Sequence, residues 1–268
     1  MPLGKGEVYS MWGIIPAAGM GSRIQPLAFS KELLPVGGRL DGGREKPRAV
    51  SEYIIERMLA GGVTRLCFVI APTKSDIVAY YGASIGPVPI CYVVQPHPNG
   101  LCDAIFRALP FLQPQEPVVV GLPDTIWFPE DGLCALDNHT LSFLLFPVEG
   151  PEFFDAVVTD MDGRVREIQV KQPSASSAWI WGAFKMPGTV LNALFRLWEQ
   201  RHQHDEYMGT LVNAYLAQGG EAWGIRAGQA YVDVGTLSGY REAMWLLSVR
   251  HQEQPYSRPP TDVSRAHG

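Results

Sequence analysis

The chain has 268 residues, 46% hydrophobic and 18% charged, a balance that excludes a solvated, disordered polypeptide and allows one or two domains. Its 22 basic and 27 acidic side chains leave a net charge of −5, which excludes a broad basic field for a nucleic-acid backbone. Glycine and proline are plentiful, at 28 and 22 residues, and their positions decide between floppy linkers and loops with a task.

Met11–Ala18 (MWGIIPAA) reads as a buried strand that ends in Gly19-Met20-Gly21-Ser22-Arg23. A stretch broken by proline and glycine follows, with Gly37–Glu45 (GGRLDGGRE) expected as a mobile surface loop. Ser51–Ala60 has apolar residues at helical spacing and stops at Gly61-Gly62. Arg65–Ala71 is a second strand, and Ser75–Tyr81 a short helix with Ser75 as its expected N-cap. Val88–Val94 is a third strand, followed by Gln95–Gly100 and a helix over Leu101–Leu109. Pro117–Leu122 is a fourth strand, running into Pro123-Asp124. This alternation predicts an α/β fold with a mixed, mainly parallel central sheet and flanking helices. Such sheets gather functional groups at the carboxyl ends of their strands, where Gly19–Arg23, Gln95–Gly100 and Asp124 fall.

In the second half, Leu141–Pro147, Ala156–Thr159, Val165–Val170 and Trp179–Lys185 are strand-like, with Asp162-Gly163 as a hairpin turn. Helical spacing returns at Val190–Trp198 and Leu211–Tyr215, short strands at Ala222–Arg226 and Tyr231–Val234, and a terminal helix at Leu237–Val249. With no linker between the halves, one domain over about 8–250 is expected. Its halves would be about 8–130 and 131–250, and 251–268 would be a disordered tail. Cys67, Cys91, Cys102 and Cys134 lack C-x-x-C spacing and read as buried free thiols of a reducing compartment. Pro16 interrupts the short apolar stretch behind Lys5 and Glu7, and no run approaches the ~18 apolar residues of a membrane span. A cytoplasmic protein with no membrane or nucleic-acid partner is the expectation.

Glycines in Gly19-x-Gly21 let backbone N–H groups approach an anion, and Arg23 adds a bidentate charge. No Gly-Lys-Ser/Thr follows, so this is not a Walker loop, and a dinucleotide fingerprint would need a third glycine and a helix. The run continues to Lys31, a second cation, within IIPAAGMGSRIQPLAFSKELLPV. That segment resembles the signature G-x-G-[ST]-R-…-P-…-K-x-[LM]-[LV]-P of the sugar-1-phosphate nucleotidyltransferases. Further segments agree in order. Gln95–Ala104 (QPHPNGLCDA) is similar to the base-binding segment of the thymidylyltransferases, Val118–Asp124 (VVVGLPD) to a strand ending in a metal-binding aspartate. Glu206-x-x-x-Thr210 resembles the segment near the sugar, and Tyr231–Thr236 (YVDVGT) the W-x-D-x-G-T segment with a second aspartate.

The resemblance, spanning roughly Trp12 to Arg250, implies a Rossmann-like, GT-A-like fold. It also implies transfer of a nucleotidyl group from dTTP or UTP to a sugar 1-phosphate, with Mg²⁺ as cofactor. By the same resemblance Arg23 and Lys31 would be catalytic, and Ala17, Ala18, Gly19, Gly21, Ser22, Gln95, Gly100 and Asp124 would bind the nucleotide. Lys171, Gly182, Glu206 and Thr210 would bind the sugar phosphate, and Asp124 and Asp233 the metal. The family usually assembles, which makes a homo-oligomer an expectation. A CTP-dependent cytidylyltransferase shares the A-A-G-x-G-x-R start and stays open as an alternative, with Gln95–Gly100 against it.

One departure touches the sugar side. Where the family has E-K-P, the chain has Lys171-Gln172-Pro173, which in a strand turns the lysine to the other face. Either a local distortion restores Lys171 to the site or the phosphate grip differs; a weakly catalytic nucleotide-sugar-binding protein is the corresponding alternative. Two other motifs read as ordinary structure. Asp160-Met161-Asp162-Gly163 mimics a phosphatase D-x-D-G but fits a hairpin turn, and His202 and His204 at i,i+2 do not share a helix face.

Overall fold

Hydrophobic period separates strand from helix along the chain, and the alternation in the first half is realised directly. The computed structural model describes residues 10–253. In chain order its elements begin with β1 (Trp12–Ala17), β2 (Pro35–Asp41), β3 (Arg44–Ala49), α1 (Val50–Ala60), β4 (Arg65–Ile70), α2 (Ser75–Tyr81) and β5 (Ser84–Ile85). They continue with β6 (Val88–Val94), α3 (Gly100–Phe106), β7 (Pro117–Gly121), β8 (Thr125–Phe128), β9 (Leu141–Pro147), β10 (Asp155–Thr159) and β11 (Val165–Val170). The last are β12 (Trp179–Pro187), α4 (Gly188–Gln200), α5 (Met208–Ala217), β13 (Ala222–Ile225), β14 (Ala230–Asp233) and α6 (Leu237–Glu253).

A ten-stranded mixed sheet runs through both halves in the order β11-β10-β12-β7-β1-β4-β6-β5, with β9 on β12 and β13 on β9. Its centre, β7-β1-β4-β6, is parallel, and Ile14 lies level with Cys67 on one side and Val120 on the other. Antiparallel pairing of β12 with β7 carries the sheet into the second half. Alternation along β1 sends Ile14 into the core beneath α3 and α4, and Ile15 into the core beneath α1. Both are fully buried, so truncating either to alanine would cost about 2–5 kcal/mol. Among the described residues no helix is long and apolar enough to cross a membrane.

Several expectations are corrected. Gly37–Glu45 belongs to the hairpin of β2 and β3, turned by Gly42 and Gly43 at φ +57° and +78°. Two successive positive φ values are what a two-residue turn matched to strand twist requires. Ser75 is the first residue of α2; Lys74 takes the cap position, with no side-chain cap bond. The thiols divide: Cys67 and Cys102 are buried, Cys91 is half-buried and Cys134 exposed. α6 runs on to Glu253, and the remainder of the expected tail lies outside the described residues, as do residues 8 and 9 of the expected domain. Asp160–Gly163 is the turn between β10 and β11, with the Gly163 N–H donating to Asp160 O at 3.1 Å. His202 and His204 sit exposed at the end of α4.

Candidate active site

The Gly-x-Gly loop leaves the carboxyl end of β1, where Ala17 and Ala18 are buried and Gly19, Ser22 and Arg23 are exposed. Gly21 adopts φ +65°, and a Cβ there would lie 2.7 Å from Lys31 Cδ. Glycine at this position therefore lets the Lys31 stem cross the loop, and Lys31 Nζ lies 4.0 Å from the Cβ position of Gly19. Two polar side chains, Lys74 buried and Asp76 half-buried, fix the loop from below. Lys74 Nζ donates to Ala17 O at 2.7 Å, to Gly19 O at 2.6 Å and to both Glu32 oxygens at 2.7 and 2.9 Å. Asp76 accepts from the Ser30 N–H at 2.6 Å and the Ser30 hydroxyl at 2.7 Å, pinning the chain just before Lys31.

Asp124 follows β7, and Asp233 ends β14. They meet because β14 pairs antiparallel with β8, setting Asp233 level with Thr125. The Val234 N–H donates to Asp124 O at 2.8 Å. Each carboxylate holds one cation of the loop: Lys31 Nζ to Asp124 Oδ2 at 2.5 Å, and Arg23 Nη2 to Asp233 Oδ2 at 3.0 Å. Gly235 lies at the centre. A Cβ there would stand 2.8 Å from Asp233 Oδ1, 3.1 Å from Arg23 Nη2 and 3.2 Å from Asp124 Oδ2. Burial opposes the Lys31 charge, but the Asp124 carboxylate outweighs it and raises the ammonium above its usual value. Burial also pushes Asp124 up, and Lys31 outweighs it, holding the carboxyl below the ordinary carboxylate range.

Two cations and two anions thus occupy one strand-end cluster. Oxygen donors of this kind suit a hard divalent cation, which takes one or two carboxylates and completes its shell with phosphate oxygens and water. Among the described residues no three His, Cys, Asp or Glu side chains cluster, so a metal here would share the two aspartates with a substrate phosphate. The room that a side chain at Gly235 would fill lies between those carboxylates, which fits this arrangement.

The Gln95–Gly100 segment stands at the carboxyl end of β6, where the sequence places it. Gln95 follows β6, with its N–H on Ile70 O at 2.9 Å. Gly100 adopts φ +89°, and its missing side chain makes room for Glu206, whose Cα lies 2.7 Å from the Cβ position. The close backbone approach that Gly100 allows is thus to the chain's own second half. Gly182 is buried at a register shift between β12 and β9, with its Cβ position against Phe146 and Tyr231. It packs rather than lines an opening.

Lys171 departs from strand geometry. It adopts φ +46°, immediately after β11, and its N–H donates to Phe154 O at 2.9 Å. This left-handed residue turns the side chain toward Tyr207, with Nζ 3.4 Å from the hydroxyl and 4.4 Å from the ring centroid. Lys171 therefore joins the segment of Glu206 and Thr210, where Thr210 Oγ1 donates to Tyr207 O at 2.8 Å. Asp155 is close by: it accepts from Trp181 Nε1 at 3.3 Å, and burial raises its carboxyl against the pull of that N–H and Lys171.

Sequence reasoning missed several members. Tyr231 lies among Asp124, Asp155 and Asp233; burial first, and then these carboxylates, push its hydroxyl well above the ordinary range. Lys74, Glu32 and Asp76 anchor the loop; Lys74 and Asp76 stand in the T-K-S-D run after β4, and Glu32 directly follows Lys31.

The family described as Nucleotidyl transferase matches residues 12–248. A glucose-1-phosphate thymidylyltransferase of Neisseria meningitidis is 26% identical over 245 residues, 87% of this chain and 81% of that protein. A UTP–glucose-1-phosphate uridylyltransferase of Streptococcus pyogenes is 29% identical over 136 residues, 42% of each chain. The fold is also that of a UTP-bound UGPase from Acinetobacter baumannii: TM-score 0.72, 19% identity, 90% of this chain and 94% of the other. With the matched family running from β1 into α6, across the Gly-x-Gly loop and both strand-end aspartates, the chain belongs to the nucleotidyl transferase family.

Proposed function

We propose that the chain transfers a nucleotidyl group from dTTP or UTP to a sugar 1-phosphate, glucose 1-phosphate in the first instance, and releases pyrophosphate. The observation that carries this reading is the convergence of Arg23, Lys31, Asp124 and Asp233 around Gly235 at the mouth of the Gly19–Arg23 loop. The named activities of the similar Neisseria and Streptococcus proteins support it.

In the reaction a phosphate oxygen of the sugar 1-phosphate attacks the α-phosphorus, a P–O bond forms, and the bond to the pyrophosphate oxygen breaks in line. Little proton chemistry is needed, so positioning and charge neutralisation carry the rate. Arg23, with its side chain 62% exposed, can swing from Asp233 to the triphosphate. Lys31 is shielded and preset over the loop, so it neutralises phosphate charge without a conformational search. The amides of Gly19, Gly21 and Ser22 would offer donors to the same anion, while Ala17 and Ala18, buried at the end of β1, carry the loop. Asp124 and Asp233 would hold Mg²⁺, which supplies Lewis-acid charge to the phosphate oxygens. Gln95 and Gly100 belong to the base side, and Lys171, Glu206 and Thr210 to the sugar side, reached from β11 and the α5 entrance.

The test is a matrix of nucleoside triphosphates against sugar 1-phosphates read by pyrophosphate release. Turnover is expected with dTTP or UTP and a hexose 1-phosphate. Asp124→Asn should abolish it. No turnover anywhere in the matrix refutes the reading, and turnover confined to CTP transfers it to cytidylyl chemistry.

A further inference from the structure

The base side contains a polar chain that phosphate chemistry does not use. Gln95 is 4% exposed, and its Nε2 donates to Asp103 Oδ2 at 2.6 Å and to Gly100 O at 3.1 Å. Asp103, itself buried in α3, accepts in turn from Arg107 Nε at 3.2 Å and Nη2 at 3.0 Å. Both partners of the amide nitrogen are oxygens that only accept: a backbone carbonyl and a carboxylate clamped by a guanidinium. Turning the amide over would set its oxygen against both of them. The geometry therefore fixes which end of Gln95 is which. Both N–H bonds are spent inside the protein, and Oε1 has no hydrogen-bond partner among the described residues.

We infer that Asp103, clamped by Arg107, is a positioning residue that holds the Gln95 oxygen toward N3 of the nucleotide base as an acceptor only, selecting uracil and thymine over cytosine. Uracil and thymine are imides, with an N–H donor at N3 between two carbonyl oxygens. Cytosine has a lone pair at N3 and carries its donor on the amino group at C4, so an oxygen held opposite N3 meets that lone pair acceptor to acceptor. An unrestrained glutamine can offer either its oxygen or its NH₂ and so accepts both kinds of base. Only a locked amide makes the residue selective, because a buried polar group left without its partner is what rejects the wrong ligand. The inference rests on the reading of Gln95 as a base contact in the proposed function.

The experiment compares the parent enzyme with Asp103→Ala, Asp103→Asn, Gln95→Ala and the Gln95→Ala/Asp103→Ala double variant. For each, kcat and KM are measured with UTP, dTTP and CTP, and binding of the same three triphosphates is measured by calorimetry. The parent should favour UTP over CTP at least about tenfold, one hydrogen bond's worth of discrimination. Asp103→Ala should erase most of that preference through KM, with kcat on UTP within about twofold of the parent. Asp103→Asn keeps an acceptor oxygen for Gln95 and should restore much of the preference. In the Gln95→Ala background, loss of Asp103 should change nothing further. If Asp103→Ala does not fold, Arg107→Ala, at the exposed end of the chain of bonds, should lower the same ratio in part. Equal binding of UTP and CTP by the parent, or an equal loss for all three bases in Asp103→Ala, overturns the inference. Base-selective binding without turnover refutes the transfer reaction and leaves the positioning role standing. Turnover that is indifferent to the base does the reverse.

Discussion

Replacing Lys74 by methionine would test whether the phosphate loop depends on a buried charge. Lys74 makes four hydrogen bonds within 2.9 Å, two to loop carbonyls and two to the Glu32 carboxylate, which is fully buried. Removing the cation strands an anion and leaves the Ala17 and Gly19 carbonyls without their donor. Breaking one partner of a buried pair costs about 3–5 kcal/mol. In a chain of this size that corresponds to a fall of roughly 6–20 °C in Tm. Replacing both partners, as Glu32→Leu/Lys74→Met, removes the stranded charge and should recover most of the stability. Activity should not recover, because the loop carbonyls remain untethered. A displacement of the loop amides by about 1 Å is worth on the order of 100-fold in kcat/KM.

The pH dependence has a defined sign. Burial raises the Glu32 carboxyl above its ordinary 4.5, against the pull of Lys74. Between 4.5 and its folded value the native protein holds a proton that the unfolded chain has released, so this contribution to stability fades as pH rises. Without Lys74 the window extends upward, and the cost of Lys74→Met should grow from about pH 5 to about pH 8. Urea denaturation of the three proteins at both pH values, beside pyrophosphate release, reads each term. A single variant within about 1 kcal/mol of the parent, or a double variant with full activity, refutes the reasoning.

Three further outcomes follow from the site's geometry. Gly235→Ala places a methyl group against Asp233, Arg23 and Asp124, and should lower turnover and Mg²⁺ affinity about 10–100-fold with little change in Tm, measured by metal titration and differential scanning calorimetry. Lys171→Gly removes a side chain from a residue at φ +46°. It should raise stability by about 1 kcal/mol while raising KM for the sugar 1-phosphate, so unchanged KM would remove Lys171 from the site. Burial pushes the Cys67 and Cys102 thiols far above their usual range, and Cys134 is exposed. An aromatic disulfide reagent should therefore titrate Cys134 first, Cys91 more slowly and the other two only on unfolding.

The parts of the site that the sequence revealed are those carried by contiguous runs. Gly19–Arg23, Lys31 and Gln95–Gly100 each announce themselves by residue type at short spacing, and the strand before each fixes where it emerges. The parts that stayed hidden depend on pairings between distant segments. Thr125–Phe128, just past the Pro123-Asp124 break, carries too short an apolar run to be assigned from sequence, yet it pairs with Ala230–Asp233 outside the main sheet. That two-stranded ribbon brings Asp124 and Asp233 together, and no local pattern foretells it. Likewise Lys74 and Glu32 are unremarkable alone, because a buried pair is recognisable only when both partners are seen beneath the same loop. The Gly42-Gly43 hairpin was not legible either: glycines in a polar stretch read equally as a mobile loop, and only the pairing of β2 with β3 shows the tight turn.

These two kinds of feature divide the work of the site. On the proposed function, contiguous motifs supply the groups that meet phosphate and base. Distant pairings set their geometry: β8 with β14 for the aspartates, Lys74 with Glu32 for the loop, and Arg107 with Asp103 for Gln95. A substitution in the first kind should remove a chemical contact and show in kcat or KM alone. A substitution in the second should move stability and catalysis together, unless, as at Asp103, the displaced group still binds but no longer discriminates. Comparing Lys74→Met with Asp103→Ala in one assay therefore separates an anchor from a selector: the first lowers Tm and all nucleotides alike, the second lowers only the ratio between bases.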